Sequence, residues 1–108
     1  MTINPQKRRK TMLTEYEMVT LLHPRLDEEG VEQVSQWLQE RIASLGGEVT
    51  KVETWGRRKL AYPIQKHLEA TYILYDFKLD GSKVAELNRA MGIHEDIVRQ
   101  LVVRKQDL

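Results

Sequence analysis

Arg57, Arg58 and Lys59 stand side by side in the stretch WGRRKLAYPIQKH, residues 55–67. An arginine offers a planar fork that matches phosphate, and a lysine offers a point charge. Such a run suits a sugar-phosphate backbone, where contacts position a nucleic acid without reading its sequence. Lys66 and His67 extend the run beyond Pro63. The same cations also fit a charged strand that discourages edge-to-edge pairing. The residues alone leave both readings open.

Other chemistry has little to stand on. The three histidines, His23, His67 and His94, show no metal-ligand spacing, and no HExxH motif or Cys/His cluster occurs. Glycine-rich phosphate loops and the GxSxG elbow are absent from the sequence. Asp27, Glu28 and Glu29 read as the solvated start of a helix, where carboxylates suit the positive end of the dipole. No metal, cofactor or small-molecule substrate is expected, and the chain does not read as an enzyme.

The chain has 108 residues, 41% hydrophobic and 31% charged, which fits one domain with one modest core. It has no cysteine, which excludes disulfides and fits a reducing compartment. No apolar run approaches the ~18 residues of a membrane span, and no secretory h-region opens the sequence. The net charge of +1 is unevenly laid out. Lys7, Arg8, Arg9 and Lys10 make residues 1–14 basic. Residues 15–50 carry eight acids against Arg25 and Arg41, and the remainder is basic again. That layout allows one basic face without making the chain a bulk polyanion binder.

The elements that must carry the cations follow from periodicity. Residues 1–13 read as a flexible basic extension, and residues 14–108 as the folded domain. Thr14 to Leu22 is a strand ended by His23-Pro24. A helix over 27–45 carries Val31, Val34, Leu38, Ile42 and Leu45 at helical spacing and stops at Gly46-Gly47. Val49 to Ile64 is extended, with Leu60, Tyr62 and Ile64 on the face of Arg58, and Arg57, Lys59 and Ala61 opposite. This arm is expected to leave the sheet and expose its cations. After a polar loop, QKHLEA, residues 72–79 alternate with period two. Asp80-Gly81-Ser82 leads into a helix with Val84, Leu87 and Met91 on one side and Gly92 as its cap. Ile97 to Arg104 closes as a strand. The order is βαββαβ. It predicts an α+β, ferredoxin-like sandwich: a four-stranded antiparallel sheet with two helices on one face. Val19 and Leu21 then lie on the sheet face without helices, which points to a partner there or to partial cover by loops.

Enzymes and binding modules share this architecture. A phosphate-holding loop after the first strand is not supported, because LLHPRLDEEG has Arg25 but no glycine-rich cradle. TYILYDFKL lacks the glycine and leading cation of an RNA-recognition-motif strand. A small-molecule-binding regulatory domain of the same sandwich is the alternative, and it too would need a glycine-rich ligand loop.

The string GRRKLAYPIQKH followed by YILYDF resembles the bacterial small-subunit ribosomal protein number six family. YEMVTLLHP, LDEEGVEQV, GGEVTKVETWG and IHEDIVRQLVVRK agree in order, so the likeness covers roughly residues 16–105. It implies a non-catalytic constituent of the small ribosomal subunit, in the cytoplasm or an organelle. It also implies binding to the central domain of 16S ribosomal RNA as a heterodimer with small-subunit ribosomal protein number eighteen, a small basic protein. The RNA-facing or partner-facing residues it implies are Arg57, Arg58, Lys59, Tyr62, Lys66, His67, Arg99, Val103 and Arg104. The acidic helix and the open sheet face are both eligible as the partner's dock.

Two departures stand out. The family usually starts near the YE motif, whereas here 13 residues come first. Lys7, Arg8, Arg9 and Lys10 are therefore a candidate RNA-binding tail or a solvated one. Ala70 stands where the family usually has a glycine, and is costly if that position needs positive φ.

Overall fold

Alternation along the first strand sets the architecture of the computed structural model, which describes residues 13–108. In β1 (Leu13–Leu22), Tyr16, Met18, Thr20 and Leu22 are buried toward the helices. β3 (His67–Asp80) repeats the pattern with Ile73, Tyr75, Phe77 and Leu79. The two strands pair antiparallel through ten residues, from Leu13 opposite Asp80 to Leu22 opposite Thr71. β2 (Glu48–Ile64) flanks β3 and β4 (Ile97–Arg104) flanks β1, giving the order β2-β3-β1-β4 with every neighbour antiparallel.

The helices α1 (Glu28–Ser44) and α2 (Val84–Gly92) cover one face. Val34, Leu38 and Ile42 from α1 and Leu87 and Met91 from α2 complete the core. Asp27 caps α1, accepting from the Gly30 amide at 2.7 Å. Gly46, at φ +87°, ends it: its amide reaches Ala43 O and the Gly47 amide reaches Ile42 O, the paired bonds of a Schellman stop. A Cβ on Gly47 would lie 2.6 Å from Lys78 O, so glycine also lets the chain pass against β3. This is the expected ferredoxin-like sandwich.

Four local expectations need correction. The β2–β3 turn is only Gln65-Lys66, and β3 starts at His67 rather than near Tyr72. Both turn residues have positive φ, 50° and 69°, the backbone of a type I′ hairpin. Gly92 is the last residue of α2, with Ile93 as the C-cap. Ala70 has no positive φ and sits buried in β3, so the strain feared there does not arise.

The fourth correction concerns the hairpin arm, whose tip does not leave the sheet. Between the Lys59–Glu69 and Ile64–His67 pairs, β2 has four intervening residues and β3 only Leu68. That bulge bends the tip back over the body. Gln65 Nε2 donates to Val98 O at 3.2 Å, and the His67 ring packs edge-on against His23 at 4.3 Å. Ile64 joins Val19, Leu21, Arg99 and Leu101 around one groove.

Candidate nucleic-acid interface

A second bulge sorts the cations. Thr54 pairs with Ile73 and Gly56 with Tyr72, which leaves Trp55 as the extra residue. Gly56 takes φ +83°, a backbone that suits glycine. The side-chain phase resets there. Arg57 pairs with Thr71 and points to the helix side; Arg58 pairs with Ala70 and points to the open face.

Arg57 is consequently tied down. Its guanidinium donates to Pro24 O and lies 3.9 Å from the Glu69 carboxylate. It lines a cleft of about 660 Å³ with Leu26, Asp27, Glu28, Val31 and Glu32 at the start of α1. Arg58 Nε donates to Trp55 O at 3.3 Å. Lys59 is exposed opposite Glu69, and Tyr62 is 64% exposed. Lys66 is exposed at the turn, whereas His67 is engaged with His23. The His23 imidazole is held below its ordinary 6.5, first by burial, then by the charges of Arg25 and His67, against an opposing pull from Asp96.

The sequence grouped Arg99, Val103 and Arg104 on the closing strand. Only the first two share the open face, Arg99 opposite Leu21 and Val103 opposite Glu17. Arg104 pairs with Tyr16 on the helix side and bonds Asp107 at 3.0 Å. Lys7, Arg8, Arg9 and Lys10 lie outside the described residues.

Across the open face the register builds rows. Glu53, Leu74, Val19 and Leu101 form an apolar centre with one acid at its edge. Leu101 is 61% exposed. On one side, Lys51, Asp76, Glu17 and Val103 form a charged row, where Lys105 Nζ holds Asp76 at 3.0 Å. That hydrogen bond is the main cause of the raised Lys105 pKa. The other Asp76 oxygen is buried without a protein partner. On the opposite side, Tyr72 lies under Trp55, with centroids 6.2 Å apart and planes 10° apart.

Sequence reasoning missed Trp55, Tyr72, Leu74 and Leu101 as face residues. Period-two counting from Arg99 would have found Leu101. Trp55 depends on the bulge, which an isolated glycine inside a strand signals.

Among the described residues no group of three or more His, Asp or Glu side chains is placed to hold a metal ion. No helix of the described residues is long and apolar enough to cross a membrane. The class is that of the ferredoxin-like α+β sandwiches, here with a sheet face that no helix covers beside a basic hairpin. The family model described as ribosomal protein S6 matches residues 15–104. The small ribosomal subunit protein bS6 of Heliobacterium modesticaldum is 43% identical over 95 residues, 88% of this chain and 99% of the relative. That of Carboxydothermus hydrogenoformans is 40% identical over 94 residues, 87% of this chain and 98% of the relative. The crystal structure of 30S ribosomal protein S6 from Thermotoga maritima superposes with a TM-score of 0.83 at 30% identity. It covers 88% of this chain and 90% of its own. The chain belongs to the ribosomal protein S6 family, whose members are structural, non-enzymatic proteins of the small ribosomal subunit.

Proposed function

We propose that this chain binds the central domain of 16S ribosomal RNA together with small-subunit ribosomal protein number eighteen, in cytoplasmic small subunits, and so supports subunit assembly and translation. The observation that carries the reading is the adjacency of two features on the sheet face without helices: the apolar row Leu74, Val19 and Leu101, and the hairpin cation Arg58, with Lys59 exposed on the other side of the same edge strand. Apolar side chains on a face without helices gain from being covered. The acids Glu15 and Glu17 beside them favour a basic partner. This combination makes the open face a better dock than the outer surface of α1.

RNA then meets the hairpin edge through Arg58, Lys59 and Lys66. A few phosphate contacts give weak, salt-sensitive binding on their own. A basic partner adds charge and offers RNA one joint surface. Arg57 ties the hairpin root to Pro24, in the connection between β1 and α1. The tail cations Lys7, Arg8, Arg9 and Lys10 supply further phosphate contacts, tested by deleting residues 2–12 and reading the salt dependence of binding.

The deciding experiment titrates a central-domain RNA fragment with this chain, with protein number eighteen, and with both. The reading expects tight binding only from the pair, and loss of the pair on Leu101→Glu. Equal RNA affinity for the chain alone, or an intact pair with Leu101→Glu, would count against it.

A further inference from the structure

We infer that the Trp55–Tyr72 stack is a landing site for one unpaired nucleobase of RNA, a reading that rests on the RNA-binding role proposed above. Trp55 is 43% exposed, although an indole is usually mostly buried. Its position is nonetheless fixed. The ring lies nearly parallel to Tyr72, and its N–H donates to Glu53 at 2.8 Å. Lys51, 3.8 Å from the same carboxylate, offsets that charge. The Gly56 bulge sets the side chain on the open face. An aromatic surface already held in place loses little conformational entropy when a ligand arrives.

Charge and access point to the ligand. Arg58, on the same face as the indole, donates to the Trp55 carbonyl. β2 is an edge strand, so no other strand of the described residues lies beyond Trp55. A strand of RNA whose phosphate meets Arg58 can lay the adjoining base on the indole. Every base has a face that stacks on an aromatic ring, and phosphates supply the attraction. A duplex keeps its bases stacked inside, so the ligand is a loop, bulge or end. An apolar partner helix fits less well. The exposed part is one indole bordered by Glu53 and Arg58, whereas the broad apolar row lies farther in, at Leu74 and Val19.

Trp37→Phe leaves Trp55 as the single indole of the chain. The full-length variant is titrated at low salt with single-stranded oligoadenylate, with an abasic strand of the same phosphate count, and with a blunt duplex. Oligoadenylate should quench the emission; the abasic strand and the duplex should bind without quenching. Trp55→Ala should weaken oligoadenylate binding by about fivefold to 150-fold, the span of one base–aromatic stack, while Trp55→Phe retains most of it. Equal affinities for the adenylate and abasic strands, or unchanged binding by Trp55→Ala, would overturn the assignment. Emission that responds to protein number eighteen and not to RNA would also overturn it, because the ring would then face the protein. Assembly with that protein and central-domain RNA is followed on native gels with the same proteins. A missing quench alongside an intact ternary complex sinks the stack alone. A ternary complex that fails for the unmodified chain sinks the RNA-binding reading.

Discussion

Arg57 and Arg58 are sequence neighbours on opposite faces of the sheet. Arg57 is anchored to Pro24 O beside α1, whereas Arg58 reaches Trp55 O on the open side. Strand alternation sets them apart, and the bulge at Gly56 decides that Arg58 takes the open face. The two arginines of a single motif therefore do different work. Arg57→Ala should lower stability slightly, by about 0.5–1 kcal/mol, since its ion pair is half-exposed and screened. Thermal unfolding reads this directly. Arg58→Ala should leave the unfolding midpoint nearly unchanged.

Gly56→Ala meets no atom, since nothing lies within 4 Å of the added Cβ. The cost is the backbone at φ +83°, about 1–2 kcal/mol for a non-glycine residue. At roughly 4–8 °C per kcal/mol for a domain this size, the midpoint should drop measurably. Gly47→Ala should cost more, because its Cβ would press on Lys78 O at 2.6 Å and on Ile42 and Leu79 at 2.9 Å.

The turn can be improved. Gln65 and Lys66 hold a left-handed backbone that Asn-Gly adopts readily. The double substitution Gln65→Asn/Lys66→Gly should raise stability by about 1 kcal/mol in denaturant titration. It also removes the Lys66 charge and shortens the side chain that reaches Val98 O. A loss of stability would mean that this Gln65 contact outweighs the strain.

The hairpin tip should respond to acid. His23 has a lower pKa in the fold than its ordinary 6.5, so the unfolded chain binds its proton more tightly. Its contribution to stability is full above pH 6.5 and is lost as pH falls from there through the lower pKa of the folded state. Unfolding midpoints at neutral and mildly acidic pH should show the loss. His67→Gln, which removes one of the charges acting on His23, should reduce it.

Inside the core, the Tyr75 hydroxyl donates to Ser35 Oγ at 3.1 Å, and burial pushes its pKa up to about 12. Tyr75→Phe should cost about 1 kcal/mol, the value of one net hydrogen bond. Ser35 keeps its bond from Gln39.

The element order was legible because period two and period 3.6 alternate cleanly along the chain. The facing of Arg58 away from Arg57 and Lys59 was legible for the same reason. The bent tip was not, because it depends on contacts from Gln65 to Val98 and from His67 to His23, over 30 residues away. The separation of Arg104 from Arg99 and Val103 was legible in their parity along the closing strand. The Trp55 stack stayed hidden because a strand count that runs through Gly56 takes no account of the extra residue there.

Co-sedimentation with small ribosomal subunits across a salt series tests the central claim most directly, comparing the unmodified chain, Arg57→Ala and Arg58→Ala/Lys59→Ala. If the hairpin cations Arg58 and Lys59 hold RNA from the two sides of the edge strand, the double variant dissociates at lower salt, with a log–log slope shallower by about 1.4–1.8. Arg57→Ala stays close to the unmodified chain. Retention of the double variant at every salt concentration would contradict the account and leave the open sheet face as the chain's attachment.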